Sequence, residues 1–248
     1  MSASFEDFDV DCFRKHLLDK AQEFGFAEPK KSIWVNYMLS SAEKDDFFRT
    51  VLPDLSLDAT SRDRALDIGC GYGNLLLVLA SHFNHLHGVE IMPERVEWAR
   101  RRIPAADIAC ASATHLDWPD DWFDLVTSTD VFEHIPASEQ VAAAAEMFRV
   151  TKPGGQGFIK VPNRFQIVDE HSYVKFATWL PHSMRRRYVH WRSGKPCPQV
   201  WLKTGSGWAR LFQRAGFQVL VKPIPTKYPL LPCGFNVFLR KPQLSASD

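Results

Sequence analysis

Residues 65–73 read Ala-Leu-Asp-Ile-Gly-Cys-Gly-Tyr-Gly, an apolar run that breaks into a turn with glycines at 69, 71 and 73. A helix-forming stretch follows, and a second apolar run closes on Val89-Glu90. A strand, a glycine turn, a helix and a second strand ending in a lone carboxylate are the parts of a nucleotide site. Glycines at alternate positions let the backbone approach a ligand with no side chain in between. A carboxylate at the end of the second strand can accept hydrogen bonds from both hydroxyls of a ribose.

The spacing narrows the choice of nucleotide. Dinucleotide folds favour Gly-x-Gly-x-x-Gly, whose third glycine lets the helix pack closely with its N-terminus towards a pyrophosphate. Here Asn74 holds that third position, and Asp67 stands two residues before the first glycine. An acid at that point repels a diphosphate and attracts an ammonium group. The ligand expected is a nucleoside with a cationic tail, which S-adenosylmethionine fits through its adenosine, sulfonium and amino-acid ammonium. A nicotinamide-dependent oxidoreductase is disfavoured by the same two residues.

Further segments fall in a matching order. Ala111-Ser112-Ala113 follows a short apolar run, and Asp117-Trp118-Pro119-Asp120-Asp121-Trp122-Phe123-Asp124-Leu125-Val126 leads into another. Val131-Phe132-Glu133-His134-Ile135 and Arg149-Val150-Thr151-Lys152-Pro153-Gly154-Gly155 come next. With the glycine turn and Val89-Glu90, these resemble the class I S-adenosylmethionine-dependent methyltransferases over about residues 60–162, and more weakly over 200–240. The resemblance implies an α/β, Rossmann-like class I methyltransferase fold. Its sheet would have seven strands, mostly parallel with the last antiparallel, and helices on both faces. It also implies a cofactor site made by Asp67, Gly69, Gly71, Gly73, Glu90, Ile91, Ser112, Ala113 and Asp130, with S-adenosylhomocysteine as product. The family commonly has an acid at the adenine contact where this chain has Ser112; a hydroxyl can accept the same hydrogen bond.

The 248 residues suffice for one large α/β domain or for a domain with an added cap. A formal net charge of +1 argues against a general nucleic-acid binder. The five cysteines include no Cys-x-x-Cys pair, so neither a disulfide framework nor a metal site is expected, and a cytoplasmic location is. No apolar run is long enough to span a membrane, and the acidic first residues do not resemble a signal peptide.

Periodicity predicts a helix over 9–24 with Phe13, Leu17, Ala21 and Phe24 inward, and another over 42–52 burying Phe47, Phe48 and Val51. Strands are expected at 66–68, 86–90, 107–110, 125–128, 157–161, 217–221 and 236–239. Intervening helices are expected at 75–83, from Pro93 to Arg102, from a Ser138 cap to Arg149, and from a Ser206 cap to Gly216. Residues 1–60 read as an N-terminal helical extension capping the site, and 61–248 as the methyltransferase core. Residues 162–203 are too long for a simple connection and read as an inserted substrate lid.

That insertion holds 8 bases and 2 acids together with six aromatic residues between Phe165 and Trp191. Aromatic faces suit a flat or lipid-like acceptor, and arginines such as Arg185, Arg186 and Arg187 suit an anionic one. Trp34, Tyr37, Asn163, Arg164, Tyr173 and Trp179 are the expected acceptor contacts. The tryptophan–arginine mixture also suits a membrane surface, although a clean apolar stripe is missing. His134 and His171 are the candidate general bases, needed only if the acceptor arrives protonated at a high pKa. The expected function is methylation of a small-molecule acceptor, with oxygen favoured. Nitrogen or carbon acceptors, and a non-catalytic S-adenosylmethionine-binding partner protein, are the alternatives.

Overall fold

The alternation of short apolar runs with helical stretches produces a seven-stranded sheet of order β3-β2-β1-β4-β5-β7-β6, with helices flanking it. Its strands are β1 (Arg64–Ile68), β2 (His85–Glu90), β3 (Asp107–Cys110), β4 (Phe123–Thr129), β5 (Thr151–Pro162), β6 (Gln218–Pro223) and β7 (Gly234–Arg240). β1, β2 and β3 pair in parallel, whereas β7 runs antiparallel to both β5 and β6. The computed structural model describes residues 8–40, 49–55, 57, 62–226 and 231–243. The chain divides into two units, 1–113 with 123–126, and 114–122 with 127–248.

In the first unit, helix α1 (Val10–Glu23) starts where the Asp9 carboxylate accepts the Cys12 N–H at 2.8 Å. This satisfies one of the donors that a helix N-terminus leaves open. Its buried face is Phe13, Leu17 and Ala21, as the spacing predicts. Phe24 lies just past the last turn and is half exposed, so the inward stripe is one residue shorter than expected. A second helix, α2 (Lys30–Leu39), follows and had no signal in the sequence. Its apolar residues are nearly contiguous rather than spaced by three and four, and only Val35 is buried. Of the helix expected over 42–52, residues 42–48, with Phe47 and Phe48, lie outside the described residues. Its end is seen as a turn that includes Val51, buried to 1% exposure. Helix α3 (Asn74–Leu79) is shorter than expected, and α4 (Pro93–Arg102) opens on proline and ends on three arginines. Both ends of α4 suit the helix macrodipole and its missing donors.

In the second unit, α5 (Gln140–Val150) is preceded by Glu139 rather than Ser138, with no side-chain cap. Helix α6 (His182–Ser193) forms inside the insertion over a small core of Val174, Ala177 and Val189. Helix α7 (Gly205–Ala215) is capped by Thr204, whose hydroxyl accepts the Gly207 N–H at 3.1 Å, and not by Ser206. Threonine two residues earlier has the extended backbone that an N-cap requires. Gly216 ends the helix at φ 112° as expected. β5 is far longer than 157–161, because the Lys152–Gly155 segment continues the ladder. The Gly154 N–H bonds to the Lys241 carbonyl at 2.9 Å. Among the described residues, no helix is long and apolar enough to cross a membrane.

Candidate functional site

The glycine turn after β1 is bound to the end of β2. The Gly69 and Cys70 N–H groups donate to the Val89 carbonyl at 2.7 and 3.0 Å. The Glu90 carboxylate, 5% exposed, accepts the Gly71 N–H at 3.1 Å through one oxygen and the Met92 N–H at 2.9 Å through the other. Two backbone donors on a carboxylate leave each oxygen a lone pair for a further donor. Gly69, Gly71 and Gly73 all have positive φ, but the last two meet different surroundings. Among the described residues a Cβ on Gly71 would touch nothing within 4 Å, whereas a Cβ on Gly73 would sit 2.6 Å from Ile103 Cδ1. Gly71 thus borders open space and Gly73 fills a packed contact.

Around the turn, Asp67 is buried in β1. Ile91 is 66% exposed beside Glu90, an apolar side chain on the surface of this unit. Ser112 and Ala113 are half-buried just beyond β3, where the Ala111 N–H donates to the Glu90 carbonyl at 3.2 Å. Open space over Gly71, a carboxylate with lone pairs to offer and an exposed apolar neighbour fit a nucleoside. Burial pushes the Cys70 thiol up, helped by the charges of Asp67 and Glu90, so this cysteine stays protonated and unreactive.

Asn74, the departure from a dinucleotide motif, has a specific partner. Its amide donates to the carbonyls of Tyr37 and Ser40 at 3.0 and 3.3 Å, and its oxygen accepts from Arg102. Arg102 is itself buried and reaches the Met38, Tyr72 and Leu39 carbonyls at 3.2, 3.2 and 2.8 Å. Desolvation lowers its pKa to about 10, still far above neutrality, so the cation persists. A cation here satisfies the open carbonyls at the C-terminus of α2. Tyr72 completes the bracket: its hydroxyl lies 3.2 Å from His16 Nε2, and its ring packs edge-on to Phe13. The helical extension is therefore fastened to the glycine turn by Tyr72, Asn74 and Arg102. Of the expected acceptor contacts there, Tyr37 contributes its carbonyl to this bracket, and Trp34 packs edge-on between Phe24 and Phe26.

In the second unit the two candidate bases, distant in sequence, come together. The His134 and His171 rings are 5.0 Å apart and nearly perpendicular. Between them lies Glu133, with no exposed surface, whose Oε1 is 3.9 Å from His134 Nε2 and 3.8 Å from His171 Nε2. Among the described residues neither Glu133 oxygen has a hydrogen-bond partner, and burial raises its pKa well above the usual carboxylate range, aided by the Asp130 charge. His171 is set by Asp169: the loop N–H of His171 donates to Asp169 Oδ1 at 3.2 Å, and its Nδ1 faces that oxygen at 3.5 Å. Asp169 also accepts from the Ser172 hydroxyl at 2.6 Å and from buried Arg185 at 2.8 Å. Burial alone would raise the Asp169 pKa, but the bonds from His171, Ser172 and Arg185 hold it below the usual carboxylate range.

Arg185 is thus an internal strut, not an exposed anion receptor as its run with Arg186 and Arg187 suggested; the latter two are exposed. Asp130, at φ 60° just after β4, pairs with Lys160 at 3.0 Å. Asn163 is buried, its amide holding the Pro232 carbonyl and the Phe165 N–H, which makes it a loop tie. Arg164 is exposed, Tyr173 is 61% exposed, and Trp179 groups with Phe165 and Phe176 in an exposed aromatic patch. Sequence reasoning missed Glu133, Asp169 and Asn74–Arg102. Only the unusual Glu-His pair after a strand could have flagged the first.

A family model described as a methyltransferase domain matches residues 41–222. The 2-methyl-6-phytyl-1,4-hydroquinone methyltransferase of Synechocystis sp. is 31% identical over 133 residues, covering 46% of this chain and 41% of the relative. The 27-O-demethylrifamycin SV methyltransferase of Amycolatopsis mediterranei is 34% identical over 112 residues, covering 41% and 40%. The chain spans less than half the length of these curated relatives. Among solved structures, the [4+2]-cyclase SpnF superposes with a TM-score of 0.61 at 19% identity, covering 81% of this chain and 82% of the other, a likeness of fold alone. With a methyltransferase-domain model matched over residues 41–222, beside the glycine turn, the carboxylate at the end of β2 and the seven-stranded sheet, the chain belongs to the class I S-adenosylmethionine-dependent methyltransferases.

Proposed function

We propose that this protein transfers the methyl group of S-adenosylmethionine to an oxygen of a small-molecule acceptor. The observation that carries the reading is the pairing of open space at Gly71 with the buried Glu90 carboxylate, in a chain of this family. When bound, S-adenosylmethionine supplies a methyl group already activated by its sulfonium. The chain's part is to hold and align. Glu90 accepts the ribose hydroxyls, Ile91 covers one face of the adenine, and Ser112 with Ala113 lies along its edge. Asp67 balances the ammonium, and the Gly69–Gly71 backbone lets the amino-acid tail approach.

Alignment of a nucleophile and exclusion of water account for most of the rate that such a reaction needs. A phenol or alcohol must also lose its proton, and the His134–His171 pair is the group suited to assist. Tyr173, Trp179 and Arg164 in the insertion offer aromatic and cationic contacts to an acceptor, while the extension at 1–60 serves as a cap. Oxygen is favoured by the relative that acts on 27-O-demethylrifamycin SV, and an aromatic acceptor by the relative named for a hydroquinone.

The test is release of S-adenosylhomocysteine in the presence of a panel of phenols, hydroquinones, hydroxyacids and amines. Turnover confined to hydroxyl acceptors supports the reading. Tight cofactor binding with no turnover on any acceptor would favour a binding partner protein, and turnover confined to amines would move the acceptor atom to nitrogen.

A further inference from the structure

The Glu133–His134–His171 cluster is poorly explained as a set of ordinary side chains. An ionised carboxylate with no exposed surface and, among the described residues, no hydrogen bond to either oxygen is strongly destabilising. Both imidazole Nε2 atoms are turned towards the same oxygen, at 3.8 and 3.9 Å, too far for hydrogen bonds. The three ligand atoms lie within 4.8 Å of one another. We propose that Glu133, His134 and His171 form a binding site for a divalent transition-metal ion.

Bond lengths of about 2.0–2.2 Å place ligand atoms roughly 3.0–3.5 Å apart in octahedral or tetrahedral geometry. Each side chain would need to move by less than about 1 Å to reach them. The His134 side chain is half exposed, on the solvent side of the buried Glu133. The backbone beneath is fixed: the Glu133 carbonyl accepts the Trp201 N–H at 2.7 Å, and the His134 N–H donates to the Val131 carbonyl at 2.8 Å.

One carboxylate and two imidazoles suit zinc, cobalt, iron(II) or manganese better than magnesium or calcium, which prefer all-oxygen cages. His171 also has the outer support that metal-bound histidines show. Its Nδ1 faces Asp169, and Asp169 is locked by Arg185 and Ser172, so Nε2 is left for the ion. Three protein ligands leave at least one coordination position for an oxygen donor, either water or a hydroxyl group of a ligand. His134 and His171 would then act on an acceptor through the ion rather than as free bases.

The inference concerns ion binding, and its test needs no turnover. Chelator-treated full-length protein is titrated with cobalt(II), with visible absorption and calorimetric heat recorded, and then displaced with zinc(II). One equivalent should bind, giving ligand-field bands without the near-ultraviolet charge transfer of a cobalt–thiolate bond, which excludes the five free cysteines. Glu133→Gln and His171→Asn should each weaken binding by more than about 100-fold, the upper range for losing an outer-shell partner. His134→Asn removes a half-exposed ligand without disturbing the core and should weaken binding while the melting temperature of the metal-free protein stays put. His115→Asn, on an exposed histidine elsewhere, should bind as the wild type does. Absence of cobalt binding by the wild type, a thiolate band, or undiminished affinity in Glu133→Gln and His134→Asn would overturn the proposal.

Discussion

Replacing Gly71 and Gly73 by alanine, one at a time, separates the two jobs of the turn. Both residues have positive φ, 55° and 82°, so either alanine pays the left-handed penalty of about 1–2 kcal/mol. At Gly71 the new methyl meets none of the described residues within 4 Å, and the cost ends there. At Gly73 it would lie 2.6 Å from Ile103 Cδ1, a side chain that is 2% exposed and cannot swing into solvent. Overpacking of that kind adds about 1–3 kcal/mol. A chain of this size loses roughly 2–4 °C of melting temperature per kcal/mol. Gly71→Ala should therefore melt about 2–8 °C below wild type and Gly73→Ala about 4–20 °C below, with the second drop about twice the first. Binding should rank in the opposite order. The methyl at residue 71 occupies the space assigned to the ligand and should weaken S-adenosylhomocysteine by at least about 10-fold, or 1.4 kcal/mol. Gly73→Ala, while folded, should bind within a few fold of wild type. Calorimetry on both variants, by scanning and by titration, reads the two quantities. Gly71→Ala binding at wild-type affinity would refute the assignment of that space, and equal melting losses would refute the packing argument.

Other consequences can be checked alongside. Glu90→Ala removes the acceptor of the Gly71 and Met92 N–H groups and, on this account, both ribose contacts. Titration should show S-adenosylhomocysteine weakened by about 100-fold or more, since bonds to a charged group contribute about 1.5–3 kcal/mol each. Asp169→Asn and Arg185→Met each break a buried pair and should cost about 3–5 kcal/mol in urea unfolding, with the double variant recovering part of the loss. Because the folded pKa of Asp169 lies below its unfolded value, its stabilisation is present above pH about 4 and lost as pH falls through the folded value. Asp169→Asn should flatten the acid limb of the stability profile and leave the shape above pH 6 unchanged. Tyr173→Ala and Trp179→Ala should each raise acceptor KM severalfold, with melting temperature little changed in Tyr173→Ala, 61% exposed, and lowered in Trp179→Ala, whose indole N–H donates to the Gln166 carbonyl at 3.0 Å; an unchanged KM in both would remove the insertion from acceptor binding.

What could be read from the chain without its structure was the part written in consecutive residues. Gly69, Gly71, Gly73 and Glu90 announce a turn and a strand end, and the seven-stranded sheet with its antiparallel last strand is what the family resemblance of these and the other short segments implies. The remainder depends on contacts between distant residues. His134 and His171 could be named individually, but nothing in the sequence says that they share the buried Glu133. Asn74 reads as a missing glycine until Arg102 and the end of α2 are seen on either side of it. Arg185 sits in a run of three arginines, and only the helical rotation turns it inward to Asp169 while Arg186 and Arg187 stay out. Helix α2 escaped because its apolar residues do not fall at helical spacing. Ser138 and Ser206 are plausible caps by type, but Glu139 and Thr204 occupy the cap positions.

The central claim is that the turn after β1 and the carboxylate of β2 hold an adenosine with a sulfonium-bearing amino acid. Isothermal titration of the full-length chain with S-adenosylhomocysteine and, separately, with NADH tests it most directly. The account predicts one-to-one binding of the thioether nucleoside, abolished or severely weakened in Glu90→Ala, and no heat from the dinucleotide. Saturable binding of NADH with no response to S-adenosylhomocysteine would contradict it.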